Sequence, residues 1–328
     1  MFRETARAAA LCSALALATA PLAAQPAQAP PRPPGQQRPS SEGAMPPLDP
    51  ARNGSAPVTD PALREAVAGR IASSGAEVGV AFRTLDGRNE LRLDADRVFH
   101  AASTMKVAVM VEMHRQAKLG FFKLDDRIPV VNTFTSIADE SAYTLGPDSD
   151  SEQDLYKAVG QLRSYRELCE LMITVSSNLA TNILIQRLTP EKIQQTVIDL
   201  GALGMSVRRG VEDNKAYQAG LSNTTSAGAL LTLLAAIATG KAVSPEASEE
   251  MLAVLKRQQF NDAIPAGLPA GTVVAHKTGS ITRVQHDAAI VYGPRPYVLV
   301  VLVRGIDDEA GSKALIADIT RAVHESIR

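Results

Sequence analysis

Tryptophan is absent from this chain, and only six tyrosines and seven phenylalanines are spread over its 328 residues. That scarcity argues against an aromatic platform on which nucleobases or sugars could stack. An excess of one charge is missing too. With 34 Lys and Arg against 35 Asp and Glu the formal net charge is -1, so composition suggests neither nucleic acid nor an anionic membrane surface as a partner. Cysteine is scarce. Cys12 lies near the N-terminus behind Leu11, where a lipidated cysteine would follow a small residue, and beyond it only Cys169 remains. A single cysteine excludes an internal disulfide, and its apolar neighbours mark it as core. The five histidines, His100, His114, His276, His286 and His324, have no zinc-protease spacing, so each is expected to be structural and neither metal nor other cofactor is expected. Past the N-terminus no apolar run is long enough to cross a bilayer. The chain is expected to be monomeric.

What is present begins with an export signal. Arg3 and Arg7 precede an apolar stretch from Ala8 to Ala20, and cleavage sites of small residues end at Ala24 and Ala29; retention as an uncleaved anchor is the alternative. Residues 1–29 are therefore read as a signal peptide, which directs the chain to the periplasm or the medium. Residues 30–59, with Pro30-Pro-Arg-Pro-Pro34, cannot bury a core and are read as a Pro-rich disordered linker. Residues 60–328 form the folded domain; over the whole chain 45% of residues are hydrophobic and 21% charged, an ordinary globular balance.

Leu63, Val67 and Ile71 at four-residue spacing, with Asp60 as cap and Gly75 as stop, predict a helix over 60–74. A hairpin follows, 77–84 and 89–94 about Asp86-Gly87. A helix from about Ser103 ends near Gly120, and the segments around 124–129 and 146–150 read as surface loops. Apolar spacing of three and four from Tyr165 to Leu188 predicts two helices joined at Ser176-Ser177-Asn178. Further helices are expected over 226–238 and 245–258, then strands over 273–277, 287–292 and 297–304, and a last helix over 312–327. Strands from both ends thus bracket a helical middle. The expected fold is α+β: an antiparallel sheet built from both chain ends, packed by the terminal helices, with an inserted all-helical lobe.

Three short motifs carry chemistry. In His100-Ala-Ala-Ser-Thr-Met-Lys106, Ser103 and Lys106 stand three apart, so on a helix the amine can reach the hydroxyl and, if burial lowers its pKa, activate it as a nucleophile. A chain this long holds about one such pair by chance, and a helix cap beside a surface lysine is the plain alternative. Ser176-Ser177-Asn178 could offer a proton relay and an amide clamp, or be only an N-cap. Lys277-Thr278-Gly279-Ser280 could bind a carboxylate while Gly279 lets the backbone come close, or be only an edge strand with a solvated lysine.

Together and in this order, the motifs resemble those of class A β-lactamases and penicillin-binding proteins. The resemblance runs from about Asp60 to the C-terminus and includes Asn182, four residues past Asn178. It implies a serine hydrolase in which Ser103 is acylated and Lys106 accepts or relays its proton. Ser176 then passes a proton to the leaving nitrogen, Asn178 holds the substrate amide, and Lys277 with Thr278 binds its carboxylate. The backbone N–H groups of Ser103 and Ser280 form the oxyanion hole.

The sequence departs from the family pattern at informative places. Ser177 stands where the pattern has Asp. The region Arg208 to Tyr217 matches a shortened omega loop in which Glu212 is the first candidate for the base that activates water, Asp213 the second, and Ala216 replaces the expected Asn; the plain alternative is a pair of solvated loop carboxylates. No arginine follows Lys277-Thr278-Gly279 at the usual spacing, which leaves Arg283 as a substitute. Three functions follow as expectations: a β-lactamase acting on a β-lactam, a D-alanyl-D-alanine peptidase or esterase acting on a peptidoglycan-like peptide, or a non-catalytic cell-wall binding or sensing domain.

Overall fold

A computed structural model of the chain describes residues 56–327. The expected signal peptide, Cys12 and the Pro-rich linker to residue 55 lie outside the described residues.

The first elements are α1 (Pro61–Ser74), β1 (Glu77–Thr84), β2 (Glu90–Leu93) and β3 (Phe99–His100). Asp60 caps α1 by accepting the N–H of Ala62, Pro61 opens it, and Gly75 ends it at φ +67, so each predicted punctuation mark is used. A 3-10 turn, Ala102–Met105, carries Ser103, and α2 (Lys106–Lys118) starts only after it. The sequence predicts one helix from Ser103; the tighter turn puts residues i and i+3 in near eclipse instead.

The middle holds β4 (Arg127–Pro129), β5 (Phe134–Thr135), β6 (Ala142–Tyr143), α3 (Asp154–Lys157), β7 (Leu162–Ser164), α4 (Tyr165–Thr174), α5 (Asn178–Leu188), α6 (Pro190–Asp199), α7 (Asn214–Gln218), β8 (Thr224–Thr225), α8 (Ala227–Ala238) and α9 (Pro245–Leu255). The two helices expected from the spacing of Leu168 to Leu188 are α4 and α5, and Ser164 with Glu167 closes a full capping box on α4. Part of the expected 124–129 loop is β4, which pairs with β7.

The end of the chain gives β9 (Val274–Ile281), β10 (Val284–Val291), β11 (Tyr297–Arg304) and α10 (Glu309–Ser326). These form one antiparallel sheet in the order β2-β1-β11-β10-β9, so strands from the two chain ends meet at its centre, where Val80 faces Val301. On one face Leu63 and Val67 of α1 pack with Ile316, Ile319 and Val323 of α10. On the other, Ala288, Val298, Val300 and Leu302 join the core of the helical lobe, which continues through α2, α5 and α8. Burial on both faces explains why β11 reads as an almost unbroken apolar run, while β10 is equally buried but carries Gln285, His286 and Asp287 in its first half. Cys169 is core, its thiol pushed up to about 12 by burial.

Candidate active site

The 3-10 turn bearing Ser103 is held from several sides. Ala101 donates its N–H to Asn223 O at 2.9 Å, and Thr104 donates Oγ1 to Ala101 O at 2.6 Å. Ala102 has φ +45, a left-handed conformation that an alanine adopts only under constraint. Strand β9 lies directly against the turn. A Cβ on Gly279 would sit 3.1 Å from Thr104 Cγ2 and 3.2 Å from both Ala102 Cβ and Ser103 N, so this position needs glycine for close approach.

Ser103, Ser176, Asn178, Thr278 and Ser280 line one cavity of about 290 Å³. Ser103, Asn178 and Ser280 also border an adjoining cavity of about 430 Å³, with Glu212 across from them. The structure thus brings residues of all three motifs, together with Glu212, to one cleft where the sheet meets the helical lobe.

Two lysines lie sealed beneath it. Lys106 donates from Nζ to Ser176 O at 2.6 Å, to Asn178 Oδ1 at 2.9 Å and to Ser176 Oγ at 3.2 Å. Among the described residues no hydrogen bond joins it to the Ser103 hydroxyl. Burial lowers Lys106 to about 7, opposed by the charges of Asp150 and Glu212, so the amine is part neutral at neutral pH. Lys277 donates to Ser176 Oγ at 3.0 Å and to Thr278 O at 2.9 Å. Its pKa falls well below the ordinary lysine value, first through burial and then through the nearby charge of Lys106. Ser176, at φ +61, therefore offers one hydroxyl to two buried amines.

The carboxylate of Glu212 is fixed by Asn178, which donates Nδ2 to Oε1 at 2.8 Å, and by the hydroxyl of Ser149 at 3.1 and 3.2 Å. One turn further along α5, Asn182 accepts the N–H of Val211 at 2.7 Å and donates to its carbonyl at 3.0 Å, which holds the backbone just ahead of Glu212. Ala216, where the pattern has Asn, is the buried residue of α7 and offers no side-chain amide; Asn178 and Ser149 do the gripping instead.

Asp213 is neither solvated nor free to act as a base. It caps α7 by accepting the N–H of Ala216 and also accepts Ser136 Oγ at 2.7 Å and the N–H of Ile137 at 3.0 Å, so its oxygens are used structurally. Arg283 is no substitute for the missing arginine. Its guanidinium donates to Gly305 O and pairs with Asp307, and it borders neither cavity. Ser177 caps α5 through Ala180 N–H and stays buried, a supporting role.

Three supporting groups escaped sequence reasoning. Asp150 accepts the N–H groups of Asn178 and Leu179, both at 2.9 Å, and the hydroxyl of Tyr156 at 3.0 Å, which pins the N-terminus of α5. Ser149 holds Glu212, and Gln285 donates Nε2 to Ser280 Oγ at 2.7 Å. Asp150 and Ser149 sit in a polar run that reads as a surface loop, and nothing local marks their distant partners. The histidines are engaged within the fold: His114 with Met110 O, His276 with Asp287, His286 with His100 O, and His324 with Tyr297.

Comparison with known proteins bears on this arrangement. The model of the Beta-lactamase enzyme family matches residues 62–327. A beta-lactamase of Streptomyces albus G is 30% identical over 287 residues, which cover 84% of this chain and 87% of that protein. Among solved structures, PBP-A superposes with a TM-score of 0.73 at 27% identity, covering 83% of this chain and 98% of that one. An ancestral class A beta-lactamase superposes at 0.70 with 27% identity, covering 80% and 99%.

Proposed function

Since the chain belongs to the beta-lactamase enzyme family, we propose that it is an exported serine hydrolase that opens β-lactams through an acyl-enzyme on Ser103 and then hydrolyses that ester. The observation that carries the second half is the carboxylate of Glu212, fixed by Asn178 and Ser149 on a cavity that Ser103 also borders. A carboxylate so placed suits the activation of water for deacylation.

In the acylation step Ser103 Oγ attacks the lactam carbonyl carbon and its proton passes to neutral Lys106. The N–H groups of Ser103 and Ser280 hold the oxyanion. The C–N bond breaks as Ser176 gives its proton to the leaving nitrogen and recovers one from the buried lysines it bridges. Thr278 and Lys277 balance the substrate carboxylate, Lys277 acting from beneath the cleft. In deacylation Glu212 takes a proton from water, the hydroxide attacks the ester carbonyl, and the proton returns to Ser103 as the acid leaves.

Export rests on the basic and apolar N-terminal segment, and no helix among the described residues is long and apolar enough to cross a membrane. A second function has support in the likeness to PBP-A, one mutant of which was solved as an acyl-enzyme complex with penicillin G: a D-alanyl peptidase that acylates and stalls.

Hydrolysis of a chromogenic cephalosporin with intact mass followed in parallel separates these. The expected result is sustained turnover, absent in Ser103→Ala, with Glu212→Gln slowed about a hundredfold or more in deacylation and its acyl-enzyme mass accumulating. A single burst with a stable mass increase on the unaltered chain gives the peptidase; binding that survives Ser103→Ala with no turnover gives a non-catalytic domain.

A further inference from the structure

The turn that presents Ser103 is tied to a histidine two residues ahead of its strained alanine. Ala102 donates its backbone N–H to His100 Nδ1 at 3.0 Å, while the carbonyl of His100 accepts the Nε2–H of His286, on β10, at 2.9 Å. The two rings form a chain from the sheet, through the backbone of His100, to the residue directly before the nucleophile. Ala102 sits at φ +45, a conformation that persists only when its surroundings impose it. His100 supplies one of those constraints. An N–H can only donate, so Nδ1 of His100 must be the unprotonated ring nitrogen.

We propose that His100 is a positioning residue for acylation: its unprotonated Nδ1 holds Ala102 in the left-handed conformation that aims Ser103, and protonation of the ring releases it. This rests on the acylation assigned to Ser103 above. The surroundings favour the neutral ring. Burial lowers the pKa of His100, and the Arg209 cation lowers it further. The other groups about it are Tyr217 on α7, whose ring meets it edge-on at 6.0 Å, His286 on β10, and Glu212 and Asp213 on the same cavity. His286 is itself held neutral, pushed down to about 4 by burial. Protonated His100 would place a hydrogen on Nδ1 facing the Ala102 N–H, two donors in contact. The hydrogen bond would be lost and the turn freed to relax toward a commoner backbone conformation.

The conservative replacement is Asn, whose side-chain oxygen accepts the N–H two residues on in an Asx turn and does not titrate. The expected acylation rate for penicillin, read by rapid-quench mass spectrometry, falls about tenfold in His100→Ala, the weight of one aligned hydrogen bond, and is largely restored in His100→Asn. The ratio of the His100→Asn rate to the wild-type rate rises as pH drops below 6.5, because only the wild type loses its acceptor. Long-range proton–nitrogen spectra of the free protein, with His100 assigned by its absence from His100→Asn, show Nδ1 as the bare nitrogen near pH 7. His100→Asn as slow as His100→Ala, a flat ratio with pH, or the Nδ1–H tautomer overturns the proposal. The tautomer is read without substrate, so it decides the matter even if Ser103 is never acylated.

Discussion

The hydroxyl of Ser176 lies 3.2 Å from one buried amine and 3.0 Å from another, and two ammonium groups cannot both stay charged at such range in a dry site. The pair therefore titrates as a unit. With Lys106 near 7, the acylation rate is expected to rise as pH climbs through about 7, and a stopped-flow pH profile reads this directly. The sign for stability follows from the same shift. Between about 7 in the folded chain and 10.5 in the unfolded one, unfolding takes up a proton, so the contribution is complete above 10.5 and is lost as pH falls toward 7. The stability gap between wild type and Lys106→Met, measured by denaturant titration, should widen in favour of the wild type from pH 7 to pH 10. At this scale the nucleophile and its relay were legible, because Ser103 with Lys106, and Ser176 with Asn178, sit in short linear motifs whose chemistry shows in the residue types. The base was half legible: Glu212 and Asp213 are neighbours of the same charge, and only the fold shows that the oxygens of Asp213 are taken up by a helix cap and a loop while Glu212 is held by Asn178 and Ser149. Ser149 was not legible at all, since it meets Glu212 across 63 residues of chain.

Helix α5 carries Asn178 at its first position and Asn182 one turn on, so the direction of its axis sets where the clamp on Glu212 falls. Asp150 fixes that axis through two backbone N–H groups and adds a negative charge at the positive end of the helix dipole. Asp150→Ala should leave buried donors unsatisfied, lowering stability by about 2–4 kcal/mol and slowing both acylation and deacylation. Asp150→Asn, which keeps one acceptor oxygen, should recover part of the stability; thermal melts alongside turnover check both. The elements were largely legible where apolar periodicity is strong, as in α4, α5 and β11. They were not where burial is slight: α6 hides only Ile193, Thr196 and Val197, too few to stand out from a polar sequence, although Pro190 at its first turn was a usable start signal. Strand β9 runs four residues past Lys277, because Gly279 and exposed Ser280 dilute the strand pattern.

At the scale of the molecule, the α+β plan was legible from strands at both ends of the chain, and a paired residue lies just ahead of Asp60. Val58 lies alongside Asn89, receiving the N–H of Glu90 at 3.0 Å and donating to Arg88 O at 2.8 Å, which extends order to the near side of Asp60. A chain starting at Asp60 should melt about 3 °C below one starting at Ala56, the effect of roughly 1 kcal/mol in exposed backbone bonds, with unchanged activity. No local signal marks Val58, whose value lies in the edge it covers.

The central pairing of β1 with β11 also imposes an order in time. An early strand must wait for a late one, because β1 has only the short β2 as another partner in the sheet. Ser103, Lys106, Ser176, Asn178 and Glu212 are all polymerised well before that late strand, whereas β9, against which the nucleophile turn rests, follows them among the late strands. A growing chain is thus inert until β9 to β11 are made, and competence then arrives abruptly.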